Sequence, residues 1–239
     1  MSLNGVYNNN SRNAPSDDIY AAFNSFIFSK DTKILGKLLH RYNFFQQTMN
    51  LPGDIAEIGV FKGSGMATFS KFIDIFCPNS NKKVIGFDIF GTEHGQAILD
   101  KDGSDDKAMM NAVYSRVEAD DLTFRSVDGR LNALGIQPRH ILVKGDVEET
   151  LPAYLKENPG LRLSLLYIDV DLDRPTYAAL THLWDRLLPG GIVVFDEYEY
   201  HKFSESNGVE RFLRERRLDF DLRSTQWIAP TAYMVKKNF

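Results

Sequence analysis

The chain has 239 residues, 43% hydrophobic and 25% charged, a composition typical of folded globular proteins that excludes a disordered or fibrous chain. Its 28 basic and 32 acidic side chains leave a net charge of −4, which argues against a general nucleic-acid or anionic-membrane binder. The apolar runs are far shorter than the ~20 residues of a membrane span. Because the single cysteine, Cys77, cannot form an internal disulfide, we expect a reducing, cytoplasmic compartment.

Residues 1–53 are predicted to form a tail followed by a helical cap or lid. Met1–Ser16 are polar and rich in asparagine, whereas apolar residues recur at helical spacing in Asp17–Phe28 and again in Lys33–Thr48. The turn at 51–53 ends this region. We expect the two helices to cover the substrate or to pair subunits in a homodimer or higher oligomer.

Short apolar strands alternate with helices from Asp54 onward. The predicted strands are 54–60, 83–87, 140–143, 163–169 and 191–196, and the predicted helices are 65–76, 108–119, 150–157, 175–188 and 208–217. Segments 222–228 and 231–236 predict an antiparallel hairpin at the sheet edge. The pattern therefore predicts one α/β core domain over 54–239, with a doubly wound, mostly parallel seven-stranded sheet. The polar stretch 91–107 is expected to be a mobile loop near the site.

A glycine-rich turn follows the first predicted strand. Doubly wound sheets bind ligands beyond the carboxyl ends of their strands, and Gly59, Gly63 and Gly65 allow close approach there. Their spacing is not the Gly-x-Gly-x-x-Gly fingerprint of dinucleotide binding. Glu57, ahead of the first glycine, suits a positively charged ligand better than a pyrophosphate. Taken alone, the segment is equally compatible with a strand-to-helix turn that binds nothing.

Acidic residues end the second and third predicted strands. Asp88 lies where a carboxylate can accept both hydroxyls of a ribose, a feature that enzymes using nicotinamide cofactors share. Asp146, after Lys144 and Gly145, can accept a hydrogen bond from an adenine amino group. Asp146 is equally compatible with a helix N-cap.

The fourth and fifth predicted strands end in Asp169 and in Asp196 with Glu197. Neighbouring parallel strands lie ~4.8 Å apart, so these carboxylates can share a cation. Oxygen-only ligation suits a divalent cation such as Mg²⁺. Asp173, which precedes Arg174 and a proline, is expected to cap the next helix.

Together these motifs resemble class I S-adenosylmethionine-dependent methyltransferases, and most closely the macrocin O-methyltransferase (TylF-like) family, which modifies sugars of natural products. The marks are the turn from Glu57 to Gly63, Asp88, the run Ile168-Asp169-Val170-Asp171-Leu172, the turn Pro189-Gly190-Gly191, and Asp196-Glu197-Tyr198. The resemblance implies that the cofactor is held by Glu57, Gly59, Lys62, Gly63, Ser64, Asp88, Gly145, Asp146 and Asp169. It implies a metal on Asp169, Asp196 and Glu197.

The resemblance implies methyl transfer to a hydroxyl of a sugar or another small molecule, with Mg²⁺ lowering the pKa of that hydroxyl. Asp169 and His201 are the candidate general bases, although His201 is equally compatible with a solvated loop. The alternatives are a nicotinamide-dependent oxidoreductase, a metal-dependent hydroxylase or hydrolase, and a catalytically silent binding module. The first would require a dinucleotide turn and a Tyr-x-x-x-Lys acid, and the sequence shows neither.

Overall fold

The computed structural model describes residues 17–91, 100–136, 139–217 and 221–237. These residues separate into two compact units, which divide between Leu35 and Gly36. The first unit contains α1 (Asp17–Ile27) and the start of α2 (Lys33–Thr48), and the rest of α2 belongs to the second unit. Both predicted N-terminal helices are therefore present, and the predicted tail over 1–16 lies outside the described residues. The lid and subunit-pairing roles of these helices stay predictions.

The second unit contains an α/β sheet of seven strands. Its elements, in chain order, are β1 (Asp54–Ile58), α3 (Ser64–Phe76), β2 (Val84–Asp88), α4 (Ser104–Tyr114), α5 (Phe124–Asn132), β3 (His140–Lys144), α6 (Val147–Glu157), β4 (Leu163–Ile168), α7 (Asp173–Leu183), β5 (Leu187–Phe195), α8 (Glu205–Arg216), β6 (Leu222–Ser224) and β7 (Ala232–Val235). The strand order is β3-β2-β1-β4-β5-β7-β6. β1 to β5 are parallel, and β7 pairs antiparallel with both β5 and β6. The predicted doubly wound sheet and its C-terminal hairpin are confirmed.

Both faces of the sheet are covered, which is why its strands read as near-continuous apolar runs. Every residue of β4 is buried. On one face the core includes Phe44 and Phe45 of α2 and Phe69 of α3, together with α5 residues. On the other face it is built from residues of α6, α7 and α8. Among the described residues, no helix is long and apolar enough to cross a bilayer.

Two segments depart from the predicted elements on the β2–β3 side of the chain. The predicted helix 108–119 is helical only over 108–114, as part of α4, and a 3₁₀ turn follows at Ala119–Leu122. Residues 104–107 of the predicted loop also belong to α4. Residues 92–99 of that loop lie outside the described residues. α5 was not predicted, because it is a short, mostly polar helix that buries only Val127 and Leu131. Its first turn is capped by the Thr123 hydroxyl, which accepts from the Ser126 amide.

The boundary between α7 and β5 also differs from the prediction. The predicted helix 175–188 ends at Leu183, followed by a 3₁₀ turn, and β5 begins at Leu187, where it pairs with Leu163 of β4. The Gly190 amide donates to the Lys236 carbonyl at 2.8 Å. Pairing with β4 on one side and the hydrogen bond to Lys236 on the other therefore make Leu187 and Leu188 part of β5, although the sequence predicted them to be helical. The predicted strand 222–228 likewise ends at Ser224.

Candidate active site

The carboxyl ends of the parallel strands form one edge where the predicted site residues meet. β1 lies between β2 and β4, so the strand order reverses there, which is where such sheets bind ligands. Backbone hydrogen bonds continue past the strand ends: the Gly59 amide donates to Phe87, the Asp169 amide to Ile58 and the Asp196 amide to Ile168. The structure therefore brings Gly59, Asp169 and Asp196 side by side, as the sequence predicted.

Asp169 and Asp196, hereafter the acidic pair, share one lysine. Lys37 Nζ lies 2.8 Å from Asp169 Oδ2 and 2.7 Å from Asp196 Oδ2. The second oxygen of Asp196 accepts from the Tyr167 hydroxyl at 2.7 Å. The Asp196 side chain is 2% exposed, whereas that of Asp169 is 23% exposed. Asp169 is therefore the member of the pair that a ligand can reach.

The charges of this cluster follow from burial and from the neighbouring cations. Burial lowers the pKa of Lys37, but Asp169 and Asp196 outweigh it and raise the pKa, so Lys37 is charged. Burial raises the pKa of Asp169, but Lys37 and Arg41 outweigh it and the net pKa is lowered. Burial and the neighbouring Asp169 raise the pKa of Asp196. The acidic pair is thus held around a permanent ammonium.

Arg41, one helical turn after Lys37, is buried beside the same cluster. Its Nη2 lies 3.3 Å from Glu57 Oε1 and 3.6 Å from Asp169 Oδ2. Its guanidinium carbon lies 4.9 Å from the centroid of the Tyr167 ring. Arg41 therefore joins the cluster to the end of β1 and adds a second cation to it.

The predicted divalent-metal triad does not fit this arrangement. Between the Oδ2 atoms of Asp169 and Asp196, where a shared metal would lie, is the Lys37 ammonium. The backbone amide of Glu197 donates to Glu205 Oε1 at 3.1 Å. No group of three His, Cys, Asp or Glu residues in the described part of the chain is arranged to hold a metal ion. The Mg²⁺ prediction is therefore not supported, and a lysine ammonium takes the place of the cation.

The turn after β1 approaches its neighbours so closely that glycine is required at two positions. A Cβ on Gly59, whose φ is +88°, would lie 2.0 Å from the Asp169 carbonyl oxygen. A Cβ on Gly65 would lie 1.7 Å from Glu57 Oε1. Glu57 is buried, and its Oε2 has no hydrogen-bond partner among the described residues. Burial raises the pKa of Glu57 to about 7, although Arg41 opposes the shift.

These features fit a compact cationic ligand at the turn. The orphaned Glu57 oxygen is a buried acceptor, and the glycines let the turn pack closely against Asp169 and Glu57. Gly63, with φ +86°, precedes α3, which begins at Ser64. Lys62 Nζ lies 2.6 Å from Asp121 Oδ2 at the rim of the turn.

Asp88 ends β2 and is held by backbone amides. Its Oδ2 accepts from the Val60 and Phe61 amides at 2.7 and 2.9 Å, and its Oδ1 accepts from the Phe90 amide at 2.8 Å. Burial raises its pKa, while these hydrogen bonds lower it. The carboxylate thus ties the end of β2 to the glycine turn. Its role in ribose binding stays a prediction.

Asp146 caps α6, the alternative that the sequence left open. Its Oδ1 accepts from the Glu148 amide at 3.1 Å, and its Oδ2 lies 2.9 Å from Lys101 Nζ and 3.1 Å from Arg174 Nη1. Gly145 before it has φ +135°. A role for Gly145 and Asp146 in adenine binding stays a prediction.

The prediction that Asp173 caps the helix after β4 is wrong. Asp173 is the first residue of α7, and Leu172 lies at the cap position. The Asp173 amide is satisfied instead by the Ser204 hydroxyl oxygen at 2.8 Å, and its carboxylate lies 3.1 Å from Arg211 Nη2. A cap supplied from a distant segment leaves no local sequence signal.

His201 lies in the turn region between β5 and α8, on the surface. Its ring centroid is 5.5 Å from that of Tyr200. In the described part of the chain, no hydrogen bond or ion pair joins His201 to the acidic pair. Its catalytic role stays a prediction.

Lys37 and Arg41 of α2 complete the site and were not predicted from the sequence. Their spacing of four residues places both on one face of the helix, and this was the available signal. The apolar period of α2 drew attention to its aromatic residues instead. A pair of cations on the buried side of an aromatic helix indicates buried carboxylate partners elsewhere.

The fold, the strand-end acids and the glycine turn define an S-adenosylmethionine-dependent methyltransferase. Residues 38–234 match the Macrocin-O-methyltransferase (TylF) family, and the chain belongs to this family. A curated relative, mycinamicin III 3''-O-methyltransferase of Micromonospora griseorubida, is 26% identical over 187 residues, which are 74% of this chain and 68% of the relative.

Solved structures agree with this assignment. CalS11, a calicheamicin methyltransferase, superposes with a TM-score of 0.71 at 26% identity, over 93% of this chain and 87% of that protein. The O-methyltransferase NovP superposes with a TM-score of 0.67 over 84% of this chain and 79% of its own, at 20% identity, which shows the shared fold. The enzyme class is thereby settled against the oxidoreductase, the hydrolase and the silent binding module.

Proposed function

We propose that this enzyme transfers the methyl group of S-adenosylmethionine to a hydroxyl of a sugar, in a natural product or in its activated sugar precursor. The curated relative is a mycinamicin 3''-O-methyltransferase, and CalS11 is described as a TDP-rhamnose 3'-O-methyltransferase. The observation that carries the proposal is the acidic pair at the sheet edge, where partly exposed Asp169 is backed by buried Asp196.

The cofactor is proposed to lie across the ends of β1, β2 and β3. When bound, it supplies an electrophilic methyl carbon on a sulfonium. Glu57 faces its positively charged methionine part with an oxygen that has no other partner among the described residues. Each carboxylate oxygen has two acceptor sites, so Asp88 Oδ1 can accept a ribose hydroxyl besides the Phe90 amide. The remaining proposed contacts are Gly59, Lys62, Gly63, Ser64, Gly145, Asp146 and Asp169.

Asp169 is proposed to accept the hydrogen of the sugar hydroxyl. Lys37 and Arg41 keep its carboxylate charged, since they lower its pKa. A carboxylate of lowered pKa is a weak base, so its main contribution is to orient the hydroxyl for in-line attack on the methyl carbon. The proton would move to Asp169 as the carbon–oxygen bond forms and the methyl carbon–sulfur bond breaks, with S-adenosylhomocysteine as the leaving group. His201 remains the second candidate base.

The test is a transfer assay with S-adenosylmethionine and a panel of acceptors, followed by mass spectrometry. The panel holds nucleotide-activated deoxysugars, deoxysugar glycosides and simple phenols. We expect methylated product from a sugar, and we expect Asp169→Asn to lower kcat by about 10²–10⁴-fold. Asp185→Asn is the control, because Asp185 lies on the surface and pairs with Arg216.

The binding of S-adenosylhomocysteine separates two kinds of failure. Asp169→Asn should weaken its binding far less than it lowers kcat, since asparagine keeps one side-chain oxygen for the cofactor but cannot take up the proton. Product from phenols alone would contradict the sugar acceptor. Full activity of Asp169→Asn would contradict the role of Asp169, and a matched loss in His201→Gln would transfer that role to His201.

A further inference from the structure

The contacts of Lys37 suggest a role that goes beyond the proposed sugar O-methylation. The consequence of that role for catalysis rests on the proposed function. The Lys37 ammonium contacts one oxygen of each member of the acidic pair, at 2.8 and 2.7 Å. We propose that Lys37 is the resident cation of this active site, so that the acidic pair binds no divalent metal and methyl transfer proceeds without one.

The geometry leaves no open place for a divalent ion between the acidic pair. Mg²⁺ binds oxygen at about 2.0–2.1 Å, so a metal shared by both Oδ2 atoms would overlap the ammonium nitrogen. The other oxygen of Asp196 already accepts from the Tyr167 hydroxyl at 2.7 Å. A metal could bind this pair only after the lysine had left it.

Two side-chain cations contact the acidic pair and Glu57. Lys37 serves both aspartates, and Arg41 lies 3.3 Å from Glu57 and 3.6 Å from Asp169. Asp169, Asp196 and Glu57 therefore each have a cation within 4 Å. Two buried carboxylates without a cation would be strongly unfavourable, which is the condition that a metal normally relieves.

α2 is anchored on both sides of Lys37, which fixes the lysine at the site. A Cβ on Gly36 would lie 2.2 Å from the Trp227 ring, so the helix backbone presses directly against that ring. The His40 ring stacks on Trp227 with centroids 6.2 Å apart. Phe44 and Phe45 are buried in the core of the sheet. Releasing the ammonium would therefore require rotation of the Lys37 side chain against a fixed helix.

Lys37 acts on the reaction through Asp169, so it is a positioning residue and its test needs a readout other than activity. Electron paramagnetic resonance of Mn²⁺ reports binding directly, because only the free ion gives the sharp signal. We expect the metal-stripped native enzyme to leave millimolar Mn²⁺ free, and its methyl transfer to persist in a chelator. Stoichiometric Mn²⁺ binding, together with chelator-sensitive activity that Mg²⁺ restores, would overturn the proposal.

Substitution of the lysine should convert the acidic pair into a metal site. We expect Lys37→Met to bind Mn²⁺ at least about tenfold more tightly than the native enzyme, because the acidic pair then lacks its cation. A further Asp196→Asn change should abolish that gain. Lys107→Met is the matched control, since Lys107 pairs with exposed Asp100 at 2.9 Å, and it should behave like the native enzyme.

Lys37→Arg keeps the cation and should exclude Mn²⁺, as the native enzyme does. If Lys37→Met fails to fold, the native chelator result and Lys37→Arg decide the question. Equal Mn²⁺ affinity in Lys37→Met and the native enzyme, with both folded, would refute the assignment. The Mn²⁺ binding results do not depend on which acceptor is methylated. If the acceptor is not a sugar, the transfer assay shows it, and the assignment of Lys37 is unaffected.

Discussion

Two groups of carboxylates along the same sheet edge are stabilised in different ways. Asp169 and Asp196, at the ends of β4 and β5, share the ammonium of Lys37. Asp88, at the end of β2, accepts three backbone amides at 2.7–2.9 Å, and the described residues contain no ion pair that includes it. The first group is balanced by side-chain charge, and the second by the chain's own amides.

The contacts at the ends of β4 and β5 depend on one particular side chain, whereas those at the end of β2 depend only on the backbone. The amides that hold Asp88 belong to the glycine turn and the loop after β2, so any side chains there would supply them. Lys37 is 132 and 159 positions away from the aspartates that it joins, and its contact depends on α2. Changes in α2 can therefore alter the contacts at the ends of β4 and β5 while those at the end of β2 stay intact.

Removing the buried cation next to the acidic pair should have the largest effect on stability. Arg41→Met leaves Glu57 buried without a cation, and breaking one side of a buried pair costs about 3–5 kcal/mol of unfolding free energy. Urea denaturation at pH 8, where Glu57 is charged, measures the loss. Arg216→Met is the control, because Arg216 and Asp185 form an exposed pair worth about 0–1 kcal/mol. Equal losses in both variants would erase the distinction between buried and exposed pairs.

Substitution of Asp88, the carboxylate held by backbone amides, should weaken the binding of S-adenosylhomocysteine. Asp88→Asn replaces one acceptor oxygen by an amino group, which faces a backbone amide and cannot accept from it. Hydrogen bonds to charged groups contribute about 1.5–3 kcal/mol. We therefore expect the dissociation constant of S-adenosylhomocysteine, measured by titration calorimetry, to rise at least about tenfold. Asp185→Asn should leave the affinity unchanged. An unchanged affinity in Asp88→Asn would show that Asp88 serves only to join β2 to the turn.

The sequence predicted the parts of the fold that repeat, and missed those with little apolar pattern. The run Leu163–Ile168 is buried throughout and apolar except at Ser164, so β4 was evident. α5 is short and mostly polar and buries only Val127 and Leu131, so few apolar residues mark it as a helix. The start of β5 at Leu187 depends on pairing with Leu163 across the sheet, and such long-range pairing is invisible to local periodicity.

The candidate site was predictable to the same extent. Alternation of strands and helices places all parallel strand ends on one edge, so Asp169 and Asp196 were expected to meet. What lies between them was not predictable, because the helical period of α2 identifies an apolar face and names no partner for Lys37. The sequence therefore suggested a divalent cation at this position, where the structure has the Lys37 ammonium in contact with both carboxylates. Asp173 failed for a related reason, since its helix is capped by Ser204 from another segment.

Glu57 lies in β1, between the two groups of carboxylates, and it should make both stability and cofactor binding depend on pH. Burial raises its pKa to about 7, so the folded state holds this proton more tightly than the unfolded state does, and the group's contribution to stability is lost as pH rises through about 7. Binding has the opposite sign, because the charged carboxylate attracts the ammonium group of S-adenosylhomocysteine. We expect calorimetric affinity to rise about tenfold between pH 6 and pH 8. In Glu57→Gln it should be flat, and a persisting slope there would assign the titration to another group.

The smallest expected effect concerns Asp146, which combines both kinds of stabilisation. Its Oδ1 accepts the Glu148 amide, and its Oδ2 faces Lys101 and Arg174. Asp146→Ala removes the α6 cap and should lower the unfolding free energy by about 0.5–2 kcal/mol in urea denaturation. Asp146→Asn keeps a capping oxygen but loses the charge. If the asparagine variant is as stable as the native enzyme, the amide contact accounts for the stability, and if it matches alanine, the cations do.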